Sequence, residues 1–324
     1  MRTSLIALAM VVGALAPMAA AQQPQARPMT EEERRAADAK RPDTPGTGAY
    51  SALKEMDPGL PDHVVYCPAN LASLGGKKLG VLLWGNGGCA ADGASARFHL
   101  AEIASHGYVV IAPGRIRSGP GAEPSATPPP PRQPEGAPRR LPPVATTAQD
   151  VAKGLDWILA ENARPGSRYQ GLIDPAQVAV AGHSCGGLQA IQVAPDPRIK
   201  TVIINNSGVF TDGANPIQGL VVDKAMLRAI HTPVLYVLGG KGDIAWPNGT
   251  DDFARIGHVP AVLVDGDVGH GGTFGEENGG DVARFTVAWL NWQLRGDETA
   301  GHLFKGADCG LCTDAKWRIQ RKGL

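Results

Sequence analysis

The chain has 324 residues, 43% hydrophobic and 19% charged, with 31 Lys+Arg balanced by 31 Asp+Glu. That length and hydrophobic fraction allow one large or two small domains with an ample core, and exclude a disordered chain. Zero net charge gives no electrostatic basis for binding nucleic acid or an anionic membrane. Gly (42) and Pro (27) are in excess, about 13% and 8% against usual values of roughly 7% and 5%; with no G-X-Y period this is not collagen, so the excess belongs to loops, turns or a low-complexity piece.

Residues 1–21 read MRTSLIALAMVVGALAPMAAA. Arg2 supplies a positive start, the run from Leu5 to Leu15 an apolar middle, and Ala19-Ala20-Ala21 a small-residue cleavage site. This is the pattern of a secretory signal peptide. The alternative, a transmembrane anchor, needs about 20 apolar residues, and Gly13 and Pro17 interrupt the run. The mature protein is expected to be exported, periplasmic or extracellular, with no membrane span. An oxidising compartment favours disulfides. The five cysteines are Cys67, Cys89, Cys185, Cys309 and Cys312, an odd count that leaves at least one unpaired within the chain.

Residues 22–62 form a polar lead whose charged run, Glu31-Glu32-Glu33-Arg34-Arg35, reads as a solvated segment. From residue 63 apolar β-type runs alternate with helical patterns. Candidate strands are 63–67, 79–84, 108–112, 178–181, 201–205, 234–238 and 261–264. The central ones are continuous apolar runs, as expected of strands buried on both faces of a parallel sheet. A helix over 94–106 stops at Gly107. Thr146-Thr147-Ala148-Gln149 reads as a capping box, after which Val151, Leu155, Ile158 and Leu159 share one helical face. A helix over 188–194 stops before Pro195. Val282, Phe285, Trp289 and Trp292 mark a last helical face, with both Trp read as core. Repeated βα units predict an α/β fold with a mostly parallel sheet covered on both sides. Residues 119–143 break the alternation with ten of the 27 prolines. They can form neither helix nor central strand, and read as an extended loop, inert or rimming a site at the strand ends.

Gly182-His183-Ser184-Cys185-Gly186 is a G-x-S-x-G motif placed directly between a strand and a helix. A sharp strand-to-helix turn there strains the Ser backbone and lifts its hydroxyl from the sheet. The helix N-terminus favours negative charge developing at the Ser. A Ser hydroxyl needs a base. Of eight His, His270 alone follows a late strand in a Gly-rich loop, residues 265–272. His63, His99, His106, His231, His258 and His302 read as surface or packing residues. His183 is expected to point away from the Ser, under the turn. The base needs an orienting acid. Asp243 ends the strand 234–238 on the same edge as Ser184 and His270. Asp265 and Asp267 are rivals, but so close to His270 in sequence they suit turn formation. A metal site from Asp265, Asp267 and His270 has no second His or Glu to complete it, so no metal is expected. Cys309-Gly310-Leu311-Cys312 has no zinc partners and no following βα unit. It reads as a local disulfide pinning the tail, or as a source of a bridge to Cys67.

The order Ser184, Asp243, His270, each just past a strand, resembles the α/β-hydrolase fold over about residues 63–295. It is most similar to compact secreted esterases of the dienelactone-hydrolase, cutinase and polyester-hydrolase branch. Dienelactone hydrolases use Cys as nucleophile, whereas here Ser184 holds that position and Cys185 follows it. The resemblance implies a catalytic domain at 63–295, with residues 296–324 as a C-terminal tail carrying the CxxC. It also implies an oxyanion hole from the N–H groups of Cys185 and of Asn86 or Gly87, and no cofactor. Cys89 ends that loop and Cys185 sits in the elbow, so a Cys89–Cys185 disulfide is expected to fix the two halves of the hole; two buried free thiols are the alternative. The expected reaction is acyl transfer from an ester to water. Only residues 209–230 stand where many relatives insert a lid, which predicts an open cleft suited to bulky or polymer-attached esters, with Trp246 as an aromatic wall or as packing. A serine peptidase, an inactive binding protein on this fold and a CxxC redox protein are the other function classes.

Overall fold

The computed structural model describes residues 31–123, 143–211 and 215–324. The signal-peptide assignment at 1–21 and most of the Pro-rich insertion lie outside the described residues. The strands are β1 (Ala52–Asp57), β2 (Leu60–Pro68), β3 (Leu79–Gly85), β4 (Tyr108–Pro113), β5 (Ile173–His183), β6 (Thr201–Asn205), β7 (Val234–Leu238), β8 (Ala261–Gly266) and β9 (Trp317–Lys322). The helices are α1 (Glu31–Lys40), α2 (Arg97–Ser105), α3 (Ala148–Ala163), α4 (Cys185–Val193), α5 (Trp246–Arg255), α6 (Gly280–Arg295) and α7 (Glu298–Gly301).

The strands form one sheet in the order β1-β2-β4-β3-β5-β6-β7-β8-β9. Pairings from β4 through β8 are parallel, while β1–β2, β2–β4 and β8–β9 are antiparallel. Side chains of a strand alternate between its faces. Val81 and Leu83 join a core with Val151, Leu155 and Ile158 of α3 and Leu188 and Ile191 of α4. Leu82 and Trp84 join the opposite core with Leu100 and Ile103 of α2 and Phe285 and Trp289 of α6. Burial on both faces is why the strand is a continuous apolar run. The chain steps from β3 outward to β4 and then back across to β5. That reversal opens a crevice at the strand carboxyl ends, where α/β proteins bind ligands.

Three boundaries differ from the sequence reading. The lead is not simply solvated. It supplies the edge strand β1, and Asp38 pairs with the buried Arg97 at 2.7 Å. The Thr47 N–H donates to Glu102 at 2.8 Å, tying the lead to α2. The tail likewise enters the sheet as β9, with Trp317 buried 4.9 Å from Phe285. The α3 cap falls on Thr147, not Thr146, and Asp150 rather than Gln149 completes the capping box. Trp289 is buried core, as read, and donates to Thr201 Oγ1 at 2.7 Å; Trp292 is half-buried and packs edge-on against it, 5.4 Å away.

Cys89 and Cys185 form a disulfide across 96 residues with a Cα–Cα separation of 5.2 Å. Cys309 and Cys312 form the local tail disulfide. Cys67 is a buried free thiol, which removes the alternative bridge between the tail and that residue. No helix among the described residues is long and apolar enough to cross a membrane.

Candidate active site

Ser184 occupies the turn between β5 and α4 with φ 53° and ψ −122°, a region that costs a non-Gly residue strain. The turn closes only because its neighbours lack side chains. A Cβ on Gly182 would stand 2.1 Å from Gly186 O, and one on Gly186 would stand 2.0 Å from Gly85 O. Ser184 N–H is held by Asn205 O of β6 at 3.0 Å. The hydroxyl therefore stands above the sheet edge at the start of α4, where the helix dipole favours negative charge.

His270 meets it from the loop after β8. His270 Nε2 lies 2.9 Å from Ser184 Oγ, and His270 Nδ1 lies 2.6 Å from Asp243 Oδ1. The Asp243 side chain is fully buried, while the His270 ring is 30% exposed toward the cleft. Burial alone would raise the Asp243 carboxyl. Donation from His270, the Ala245 N–H, Asn206 Nδ2 and the Gly239 N–H outweighs it and brings the group down to about 2. The carboxylate is thus ionised and can hold His270 with Nδ1 protonated, leaving Nε2 to accept the Ser184 proton.

The rival acids serve elsewhere. Asp265 accepts from the Gly240 N–H at 2.9 Å and from Trp246 Nε1 at 3.2 Å, and pairs with Arg318 at 3.1 Å. Asp267 also meets Arg318, at 3.2 Å. Trp246 therefore packs beside Asp265 and is not a wall of the cleft. That place goes to Ile244 and Ala245, one and two residues after the acid.

The cleft beside Ser184 holds about 430 Å³ and includes Leu188, Phe210, Ile217 and Ile244 in its lining. No charged side chain lines it among the described residues. Of residues 209–211 and 215–230, Phe210, Pro216 and Ile217 line the cleft, and the stretch carries one short 3-10 helix, Lys224–Ala229, rather than a lid domain. From the loop after β3, Gly88 lines the cleft, whereas Asn86 and Gly87, the donors expected from the sequence, are not among its lining residues. Asn86 is fully buried, with Nδ2 donating to Pro113 O at 2.6 Å and to Ala90 O at 2.9 Å, so its side chain braces the loop. The disulfide from Cys89 to Cys185 joins this loop to the residue after Ser184.

One polar residue at the strand ends went unread in the sequence, and the contacts of a second, His183, were not foreseen. Asn206, just past β6, donates to Asp243 Oδ2 at 2.9 Å and to Gly269 O at 3.0 Å. A polar pair ending an apolar strand, Asn205-Asn206, is the signal that marks it. His183 is not among the residues lining the cleft and packs against the His270 loop. Its ring lies 5.3 Å from the His270 ring, and its Nε2 donates to His270 O at 2.8 Å. The expectation gave His183 no partner, whereas the Gly-rich His270 loop folds back to meet its ring.

No protein-family model matches the chain, and no curated protein matches it.

Proposed function

We propose that the chain is an exported serine hydrolase of the α/β-hydrolase fold, cleaving carboxylic esters through an acyl-enzyme. The observation that carries this reading is the hydrogen-bonded series Ser184–His270–Asp243, with separations of 2.9 and 2.6 Å, at the carboxyl edge of a mostly parallel sheet. His270 takes the Ser184 proton as Oγ attacks the ester carbonyl, and Asp243 stabilises the imidazolium. The oxyanion is met by the Cys185 N–H and by an N–H of the Asn86–Gly87–Gly88 turn, which glycine lets approach the substrate closely. His270 then returns the proton to the leaving alcohol, and water releases the acid by the same route. No step calls for a cofactor.

The cleft supports a bulky, uncharged ester, polymer-attached ones included, because among the described residues its lining is mostly apolar, carries no charged side chain and is covered by no lid domain. Two disulfides suit an oxidising compartment, in keeping with export.

The test is hydrolysis of nitrophenyl acyl esters of graded length, set against peptide anilides. Ester turnover is expected, and Ser184→Ala should abolish it by roughly 10⁶-fold in kcat, the scale seen when such a nucleophile is removed, with the fold retained. Preferential anilide cleavage would make the chain a peptidase. Substantial ester turnover by Ser184→Ala would remove Ser184 from the role.

A further inference from the structure

The loop that bears His270 is rich in glycine and is held by side chains as well as by its own backbone. Gly269 and Gly272 both have positive φ, 72° and 53°, and Gly271 stands between His270 and Gly272. Among the described residues, two backbone hydrogen bonds tie residues 268–271 to the strand ends beneath, Val268 N–H to Gly266 O and Gly269 N–H to Gly239 O, each 2.8 Å. Two successive carbonyls of the loop also accept from side chains, and the first, Gly269 O, accepts the Gly272 N–H as well, at 3.1 Å. Asn206 Nδ2 takes Gly269 O, and His183 Nε2 takes His270 O.

We propose that His183 and Asn206 form a clamp that fixes the His270 loop against the sheet, acting as positioning residues for the proposed reaction. This rests on the serine-hydrolase reading. His183 immediately precedes Ser184, so the segment carrying the nucleophile also holds the backbone of the base. Asn206 bonds the acid carboxylate and the base loop with one amide, so the end of β6 couples Asp243 to His270. All three members of the series are thereby referred to two adjacent strand ends.

Each residue type is what its position requires. A carbonyl only accepts, so the His183 ring must present Nε2–H. Burial lowers His183 to about 4, which leaves the ring neutral at neutral pH. Asn206 has φ 45°, a left-handed conformation that Asn tolerates better than most side chains. Its amide orientation is set by two acceptors on Nδ2. His183 is not among the residues lining the cleft, and Asn206, which is, commits its Nδ2 to Asp243 and Gly269 O, so their effect should fall on the reacting geometry.

The experiment compares wild type with His183→Phe, His183→Gln and Asn206→Gly. Phe keeps a ring but cannot donate, Gln restores an N–H at similar reach, and Gly suits the φ of residue 206 while removing the amide. For His183→Phe and Asn206→Gly, kcat on a nitrophenyl ester should fall on the order of 10²-fold with KM little changed, the loss that a misplacement of about 1 Å brings. His183→Gln should recover most of the activity. The downfield proton signal of His270 Nδ1–H should be present in wild type and lost or broadened in the two damaging variants, whose melting curves should stay cooperative. Folded variants with wild-type kcat and an intact signal overturn the clamp, as does a KM rise at constant kcat or a Gln variant no better than Phe. A folded wild type that neither turns over esters nor reacts with a fluorophosphonate overturns the hydrolase reading, and the clamp with it.

Discussion

Asp243 accepts from His270, Asn206 and two backbone N–H groups while its side chain is out of solvent. Its depressed pKa, about 2, means its contribution to stability is present above the ordinary 3.8 and is lost as pH falls through about 2. Asp243→Asn keeps the shape but removes the charge that fixes the His270 tautomer, and kcat should drop by about 10⁴-fold. A kinetic comparison at neutral pH checks this; a loss of less than about tenfold would move the acid role elsewhere. Ser184, Asp243 and His270 were legible because each sits among glycines just past an apolar run. The roles of Asn206 and His183 were not. A side-chain bond to a loop carbonyl depends on how that loop folds back, which no local pattern encodes.

At the scale of elements, the backbone beside the cleft residue Phe210 is moored by a buried ion pair. Lys224 Nζ lies 2.6 Å from Asp252 Oδ1 of α5, and Asp252 Oδ2 accepts the Val209 N–H at 2.7 Å. The Asp252 side chain is fully buried and that of Lys224 is 9% exposed. Burial raises Asp252 from 3.8 to about 6 in spite of Lys224. A raised folded-state pKa gives a contribution that is complete below the unfolded value and lost as pH rises through the folded one. Removing the cation should sharpen that loss. Lys224→Met is expected to cost about 3–5 kcal/mol near pH 8, as for other broken buried pairs, and clearly less near pH 5, where Asp252 takes up its proton. Urea unfolding at the two pH values measures it, and an equal cost at both would contradict the assignment. Elements buried on both faces, β3 through β8, were legible as apolar runs. The edge strands were not. In β1 (ALKEMD) every residue is half-buried, and β9 (WRIQRK) alternates with charge, the composition that protects a sheet edge and hides it from a search for apolar runs.

Over the whole molecule, the cysteines divide into two disulfides and one buried thiol. Burial pushes the Cys67 thiol up, so it should resist alkylation in the native state. Alkylation without reductant should modify no cysteine in the folded protein and Cys67 alone after unfolding; native labelling of any other cysteine would contradict the pairing. Replacing both Cys89 and Cys185 with Ala should cost about 2–5 kcal/mol, since the bridge closes a long loop, and urea unfolding reads the loss. An unchanged midpoint would show that the bridge adds no stability. The glycine excess has a spatial meaning at this scale. The runs at residues 85–88, 182–187, 239–242 and 266–272 all lie at the carboxyl edge of the sheet, where Ser184, Asp243 and His270 converge.

The most direct test of the proposed function is covalent capture of the nucleophile. The folded protein is treated with a fluorophosphonate, digested and mapped by mass spectrometry. One adduct, on Ser184, is expected, with the label lost in Ser184→Ala and strongly slowed in His270→Ala. No adduct on the folded protein, or an adduct at another residue that persists in Ser184→Ala, would contradict it.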